Sequence, residues 1–114
     1  ANTSISGTKE SASIFRRGLL DELTDDDEKM QFTVMIGQFL NTWSVMYDLH
    51  DEGQLPGNQW ELVSSDIHAA FGTTGGMKFW QDVGKPNVHS SFSSYVDNLL
   101  KSSNPSYTIL PGNT

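Results

Sequence analysis

The chain has three histidines, and histidine is the residue most often used for acid–base catalysis and metal binding near neutral pH. His50 continues a stripe of apolar residues with helical spacing, so we predict that its ring points towards the interior. A buried imidazole needs partners, which leaves two interpretations: a core-edge histidine held by a carbonyl or carboxylate, or a ligand-binding group. His68 adjoins the apolar face of a predicted helix, and His89 is predicted to be a capping or loop residue.

The spacing of these histidines does not indicate a metal site. Zinc needs three or four converging ligands, and the chain has no HExxH or His-x-x-Glu pattern to bring two onto one helical face. Cysteine is absent, which excludes disulfides, thiol catalysis and thiolate ligands. We therefore assign no catalytic, metal-binding or cofactor-binding residue and expect no cofactor.

A run of four acidic residues, 25–28, follows Thr24. The run lacks the alternating oxygen ligands and the glycine of a calcium loop. Acidic residues stabilise the first turn of a helix, and a threonine hydroxyl can cap it. The sequence therefore predicts a helix start with Thr24 as the N-cap and a solvated acidic face.

Residues 72–76, GTTGG, precede a predicted helix, where backbone amides can bind an anion. The segment lacks the Gly-Lys-Ser/Thr ending of a phosphate loop, so we predict a flexible turn between helices. None of the serines lies in a Gly-x-Ser-x-Gly turn either. These patterns favour a protein that is not an enzyme.

Apolar residues recur at steps of three and four along most of the chain, which is the period of an α-helix. The clearest stripe comprises Phe32, Ile36, Phe39, Trp43, Met46 and His50. We predict helices at about 8–23, 25–51, 60–72, 77–83 and 89–103. Short connections favour antiparallel neighbours, so the predicted fold is an all-α antiparallel bundle of about five helices, two long and three shorter.

A chain of 114 residues fits a single domain. We predict a frayed N-terminus at 1–7, one helical domain at 8–103 and an extended tail at 104–114. The tail carries Tyr107, Ile109 and Leu110 in a polar setting. Two interpretations stay open for it: its apolar side chains lie against the bundle, or they dock onto another chain.

The charge balance is acidic, with 14 Asp and Glu against 7 Lys and Arg and a formal net charge of −7. Phosphate binding needs clustered positive charge, and the basic residues are scattered, so we expect no nucleic acid partner. No segment approaches the ~20 apolar residues of a membrane span, so we expect a soluble protein with no membrane insertion within this chain. The sequence leaves the compartment open, with the cytoplasm favoured. Membrane tethering stays open if the native chain extends upstream of Ala1.

Three segments resemble a broad family of uncharacterised small bacterial all-helical proteins: residues 53–60 (GQLPGNQW), the pair Phe79-Trp80, and residues 92–96 (FSSYV). Such proteins share a long helix ending near a Gly-x-Leu turn, a Trp opening the next helix, an aromatic-Trp pair and a final Phe-x-x-Tyr/Phe-Val helix. The resemblance covers roughly residues 15–100 and implies a helical fold without an established activity. Many such proteins carry an upstream membrane helix, which is not seen in this sequence.

Three functions stay open from these observations. The favoured one is a non-enzymatic interaction or sensory module, in which an exposed aromatic face of Trp60 and Trp80 contacts a protein partner or a second copy. The second is a small-ligand pocket inside the bundle beside His50. The third is a metal-dependent hydrolase, which requires His50 or His68 to meet carboxylates across the bundle.

Overall fold

The computed structural model describes residues 3–102, and the side chains of residues 7–102. Its five α-helices are α1 (Thr3–Leu19), α2 (Asp26–Asp51), α3 (Gly57–Phe71), α4 (Thr74–Phe79) and α5 (Ser90–Leu100). A π-helical turn, Trp80–Gly84, continues α4, and a 3-10 turn, Lys85–Asn87, leads towards α5. No strand occurs in this range, so the predicted all-α bundle is confirmed. The predicted tail at 104–114 lies outside the described residues.

The start of α1 differs from the sequence-based prediction. The helix begins at Thr3, before the start at residue 8 that the apolar stripe indicated. The first residues of α1 are mostly small and polar, so they add nothing to the apolar periodicity. An apolar stripe shows which part of a helix packs on the core, and it does not show where the helix begins.

The start of α2 is capped by the acidic run. Asp25 is the N-cap, and its carboxylate accepts a hydrogen bond of 3.0 Å from the backbone N–H of Glu28. The prediction that Thr24 caps this helix is therefore wrong, since Asp and Thr are both good caps and composition does not separate them. Arg17 of α1 donates to both carboxylate oxygens of Glu28, at 3.0 and 3.2 Å, which joins the two helices.

The core is a continuous cluster of buried side chains from all five helices. Its centre is aromatic: Trp80 stacks on Phe71 with ring centroids 5.3 Å apart and meets Phe92 edge-on. Trp43 of α2 also meets Phe71 edge-on, at 5.6 Å. Large rings bury more apolar area than any other side chains, so this cluster supplies much of the stability of a small domain.

The apolar stripe of α2 faces the core with one exception. Phe32, Ile36 and Trp43 are buried, whereas Phe39 keeps 48% of its surface exposed. Phe39 packs at the edge of the stripe against Phe15 of α1, with ring centroids 5.5 Å apart. The prediction that Phe39 faces the interior is wrong, because the buried side of α2 is centred near Ile36 and Leu40, and Phe39 lies about 60° and 100° around the helix from these two residues.

Helix α4 crosses α1 in backbone contact. A Cβ atom on Gly75 would overlap the carbonyl oxygen of Gly18, so only glycine allows this approach. Thr73 is the N-cap of α4, and its hydroxyl accepts a hydrogen bond of 3.0 Å from the N–H of Gly76. The prediction of a flexible turn at 72–76 is therefore wrong, because these glycines permit tight packing rather than chain freedom.

Replacing Gly75 by alanine tests this crossing. We expect Gly75→Ala to lower the free energy of unfolding by about 2 kcal/mol or more, because the added methyl group meets backbone that must shift. Gly37→Ala is the matched control, since a Cβ there meets no atom within 4 Å. This control should stabilise α2 by about 0.5–1 kcal/mol. Urea denaturation of both variants measures the difference, and equal stabilities would contradict a tight crossing.

Trp80 is completely buried, and a carboxylate on α5 satisfies its indole N–H. Nε1 of Trp80 donates to Asp97 at 2.9 Å, and the other carboxylate oxygen of Asp97 lies 2.7 Å from Nζ of Lys85. The hydrogen bonds from Lys85 and then Trp80 hold the pKa of Asp97 below its ordinary value. Asp97 therefore ties the π and 3-10 turns to α5.

The Asp97 contacts predict acid sensitivity. We expect Asp97→Ala to destabilise the fold by about 1–3 kcal/mol at pH 7, since it leaves a buried N–H unpaired. Because the folded pKa is lowered, the ionic contribution is present above the ordinary value of 3.8 and is lost as the pH falls through the folded value. Urea denaturation between pH 7 and pH 2 should therefore show the gap between wild type and variant narrowing in acid.

Lys85→Gln distinguishes the contribution of the Lys85–Asp97 ion pair to stability from that of the Trp80–Asp97 hydrogen bond. This variant keeps the acceptor for Trp80 and removes only a partly exposed pair, so its loss at pH 7 should stay below about 1 kcal/mol. A gap between wild type and Asp97→Ala that does not change with pH would argue against an ionised Asp97 in this role.

Candidate functional site

His50 lies at the end of α2, and its ring stacks on Trp60 with centroids 4.9 Å apart and planes 11° apart. Its Nδ1 atom is buried and has no hydrogen-bond partner within residues 3–102. The carbonyl or carboxylate expected for a core-edge histidine is therefore not found at this atom. Tyr47 and Tyr95 pack against the same Trp60 ring. The structure thus brings two of the three predicted site residues together, in an aromatic cluster.

The two tryptophans predicted to form an exposed docking face are core residues. Trp60 is 6% exposed and Trp80 is 0% exposed. The prediction of an aromatic contact surface made by this pair is therefore wrong. A small bundle fills its interior with its largest rings, so aromatic content alone does not predict which rings remain on the surface.

The other two histidines each form a hydrogen bond to a residue that is distant in the sequence. His89 is the N-cap of α5: its Nδ1 accepts from the N–H of Phe92 at 3.3 Å, and its Nε2 donates to Asp48 at 3.0 Å. The predicted capping role of His89 is confirmed. Nε2 of His68 donates to the carbonyl of Ser102 at 2.9 Å. Across residues 3–102, no three His, Asp or Glu side chains are arranged to hold a metal ion.

A cleft of about 370 Å³ lies between the α1–α2 corner and the α4–π segment, and we name it the corner cleft. Leu23, Phe32 and Phe79 supply its apolar surface. Its charged side chains are Asp21, Lys29, Lys78 and Asp82. The volume falls in the range of roughly 300–1,000 Å³ that is usual for small-molecule sites.

Two uncommon backbone conformations border the corner cleft. Asp21 has φ of +59°, and no other non-glycine residue within residues 3–102 has a positive φ. It follows α1 in a Schellman motif, where its N–H bonds to Gly18 and the next N–H bonds to Arg17. Asp82 and Val83 belong to the π turn, a conformation that is rare and often found at functional sites. Their meeting at one cavity makes the corner cleft the first candidate site.

The charges of the corner cleft are only partly paired. Nζ of Lys78 lies 3.2 and 3.4 Å from the two carboxylate oxygens of Asp21. Both side chains are exposed, so the pair contributes little to stability. Lys29 and Asp82 form no ion pair with any residue that the structure describes. One cation and one anion therefore remain available from different elements.

A second depression, of about 100 Å³, lies between α1, α2 and α3 and is mostly apolar. We name it the apolar groove. It is lined by one carboxylate residue, Asp66, and by the apolar residues Phe15, Leu19, Phe39, Trp43, Ala69 and Ala70. Phe39 stands at its edge and stacks on Trp43 with ring centroids 5.6 Å apart. An aromatic ring that is half exposed beside an apolar groove is typical of a binding surface.

The outer face of α2 carries no charge along residues 30–47, and it points away from the side of the helix on which Phe39 lies. None of residues 30–47 is acidic or basic, and Met30, Val34 and Val45 are each more than half exposed. Spacings of four and eleven residues place these three on one side of the helix. The sequence alone contained this signal, because an uncharged run of this length in a chain of net charge −7 is visible without a structure.

Comparisons of the chain with protein-family models, with curated proteins and with solved structures find no match. The resemblance to small bacterial helical proteins therefore stays a prediction. Among the helices of residues 3–102, none combines the length and the apolar character needed to cross a membrane.

Two substitutions at Asp21 test whether the chain between α1 and α2 requires a positive φ at this position. Asp21→Gly and Asp21→Ala both remove the partner of Lys78, but only glycine adopts a positive φ freely. We expect Asp21→Gly to be more stable than Asp21→Ala by about 1 kcal/mol. Thermal or urea unfolding of the two variants gives this difference directly. Equal stabilities would mean that the corner relaxes to a negative φ when the side chain changes.

Proposed function

We propose that this protein is a non-enzymatic interaction module that binds a protein partner through the apolar groove. The docking surface comprises the residues that line this groove, with Phe39 at its exposed edge. The observation that carries the proposal is Phe39, an aromatic side chain 48% exposed at the edge of an apolar groove. Interface centres are rich in aromatic residues and poor in charge, and this surface has the three aromatic residues Phe15, Phe39 and Trp43 with a single carboxylate, Asp66.

Acidic groups flank the docking surface at both ends of α2. Residues 25–28 lie at its N-terminal end, and Asp48, Asp51 and Glu52 lie at its C-terminal end. Helix α2 has 26 residues and is about 39 Å long, so the near ends of the two groups, at residues 28 and 48, lie about 30 Å apart. Complementary charge fixes register and speeds encounter, so the partner that fits carries an apolar centre flanked by basic residues.

A second copy of the chain fits this surface less well than a basic-flanked partner. Pairing two α2 helices in parallel places residues 25–28 of both copies side by side, and antiparallel pairing places them against Asp48, Asp51 and Glu52. Either arrangement brings like charges together, on chains that each carry a net charge of −7. The favoured partner is therefore a different protein.

The test identifies a partner by contact and then measures its affinity. A photo-crosslinking amino acid replaces Phe39 in one protein and the exposed Asn58 of α3 in a control, and both are expressed in the native host. We expect one protein to be crosslinked at position 39 and not at position 58. With that partner purified, Phe39→Ser should weaken binding at least tenfold, since central aromatic residues contribute about 2 kcal/mol or more.

Leu20→Ser is the matched control for Phe39→Ser, because Leu20 is also an exposed apolar residue and lies off the docking surface. This control should leave the affinity unchanged, and added salt should slow association of the wild-type protein. Equal crosslinking at positions 39 and 58 would contradict the proposal. A dimer of this chain that dissociates on Phe39→Ser would contradict the choice of partner.

A further inference from the structure

The corner cleft has an apolar floor that the fold holds in place. Phe32 and Phe79 are both almost fully buried, and their rings border the cavity from α2 and α4. The backbones of Gly18 and Gly75 also line it, in the crossing where no Cβ fits. Walls made of packed rings and touching backbones cannot shift independently, so the cavity is formed before any ligand arrives.

The charges around this floor select the class of ligand. Two lysines and two aspartates line the cleft, so their formal charges cancel. Lys78 and Asp21 already neutralise each other. Lys29 on α2 and Asp82 in the π turn are left to bind one anionic and one cationic group of the same molecule. A ligand with a net charge would be attracted by one of these two residues and repelled by the other.

From this arrangement we infer that the corner cleft binds a small zwitterion with an apolar body, for which a free apolar amino acid is the simplest example. The carboxylate of the ligand pairs with Lys29, its ammonium group pairs with Asp82, and its side chain lies on Phe32 and Phe79. Lys29 is assigned the carboxylate of the ligand because it has no ion-pair partner among the described residues, whereas Nζ of Lys78 lies 3.2 Å from the carboxylate of Asp21.

The experiment titrates the full chain with three related probes and follows backbone amide signals by NMR. The probes are L-phenylalanine, N-acetyl-L-phenylalanine, which lacks the cation, and L-phenylalaninamide, which lacks the anion. We expect L-phenylalanine to shift the amides of Gly18, Thr33 and Gly75, which line the cleft. Each blocked probe should bind about 2- to 5-fold more weakly, the loss expected for an exposed ion pair.

Two substitutions should each abolish a different one of the two probe preferences. A general loss of stability would weaken binding of all three probes instead. Lys29→Gln should abolish the preference for L-phenylalanine over its amide, and Asp82→Asn should abolish the preference over the N-acetyl compound. Lys9→Gln and Asp51→Asn are matched controls, because both residues are exposed and lie outside the cleft. They should leave all three affinities unchanged.

Several outcomes would overturn the inference. Equal affinities for the three probes, or shifts away from the cleft, would contradict recognition of a zwitterion. Inorganic phosphate that shifts the same amides and competes with L-phenylalanine would indicate a simple anion site at Lys29 and Lys78. Phe39→Ser should not alter the titration, since Phe39 does not line the corner cleft, so this test and the test of the docking surface fail independently.

Discussion

The burial of Trp80 imposes the strictest requirement on this fold. A completely enclosed indole loses its hydrogen bond to water, so its N–H must meet an acceptor inside the protein. Asp97 supplies that acceptor from α5 and is itself held by Lys85. The chain between Trp80 and Lys85 runs through the π turn, and the same turn presents Asp82 to the corner cleft. One polar contact in the core is thereby connected to the shape of a surface site.

Sequence periodicity predicted most of the fold because it reports which residues a helix buries. It predicted that His50 lies on the inward side of α2, and it located five helical segments along the chain. The polar residues from His89 onwards, and not the periodicity, indicated the start of α5. Prediction from the sequence failed where two residue types can do the same thing, as with Thr24 and Asp25 at a helix cap. It also failed at Phe39, which lies at the margin of the apolar stripe, where periodicity does not show how far the buried side extends. The presence of Trp60 and Trp80 in the sequence did not indicate whether their rings lie in the core or on the surface.

The corner cleft was beyond prediction from the sequence for a different reason. Its lining comes from residues between 18 and 83, on three helices and a π turn, and these residues form no local motif. The positive φ of Asp21 and the π geometry at Asp82 are properties of the folded backbone. An aspartate in the sequence predicts neither conformation. The glycines at 75 and 76 were visible as a cluster, but a cluster of glycines is compatible with both a loose turn and a close helix crossing.

His89 lies where α5 begins and uses both nitrogens of its ring. Its Nδ1 accepts the backbone N–H of Phe92, so the proton of the neutral ring is on Nε2, the atom that donates to Asp48. One side chain therefore caps α5 and also joins it to α2. An aspartate cap could accept the same N–H, but it would repel Asp48 instead of donating to it. The first turn of α5 is in this way fixed relative to the last turn of α2.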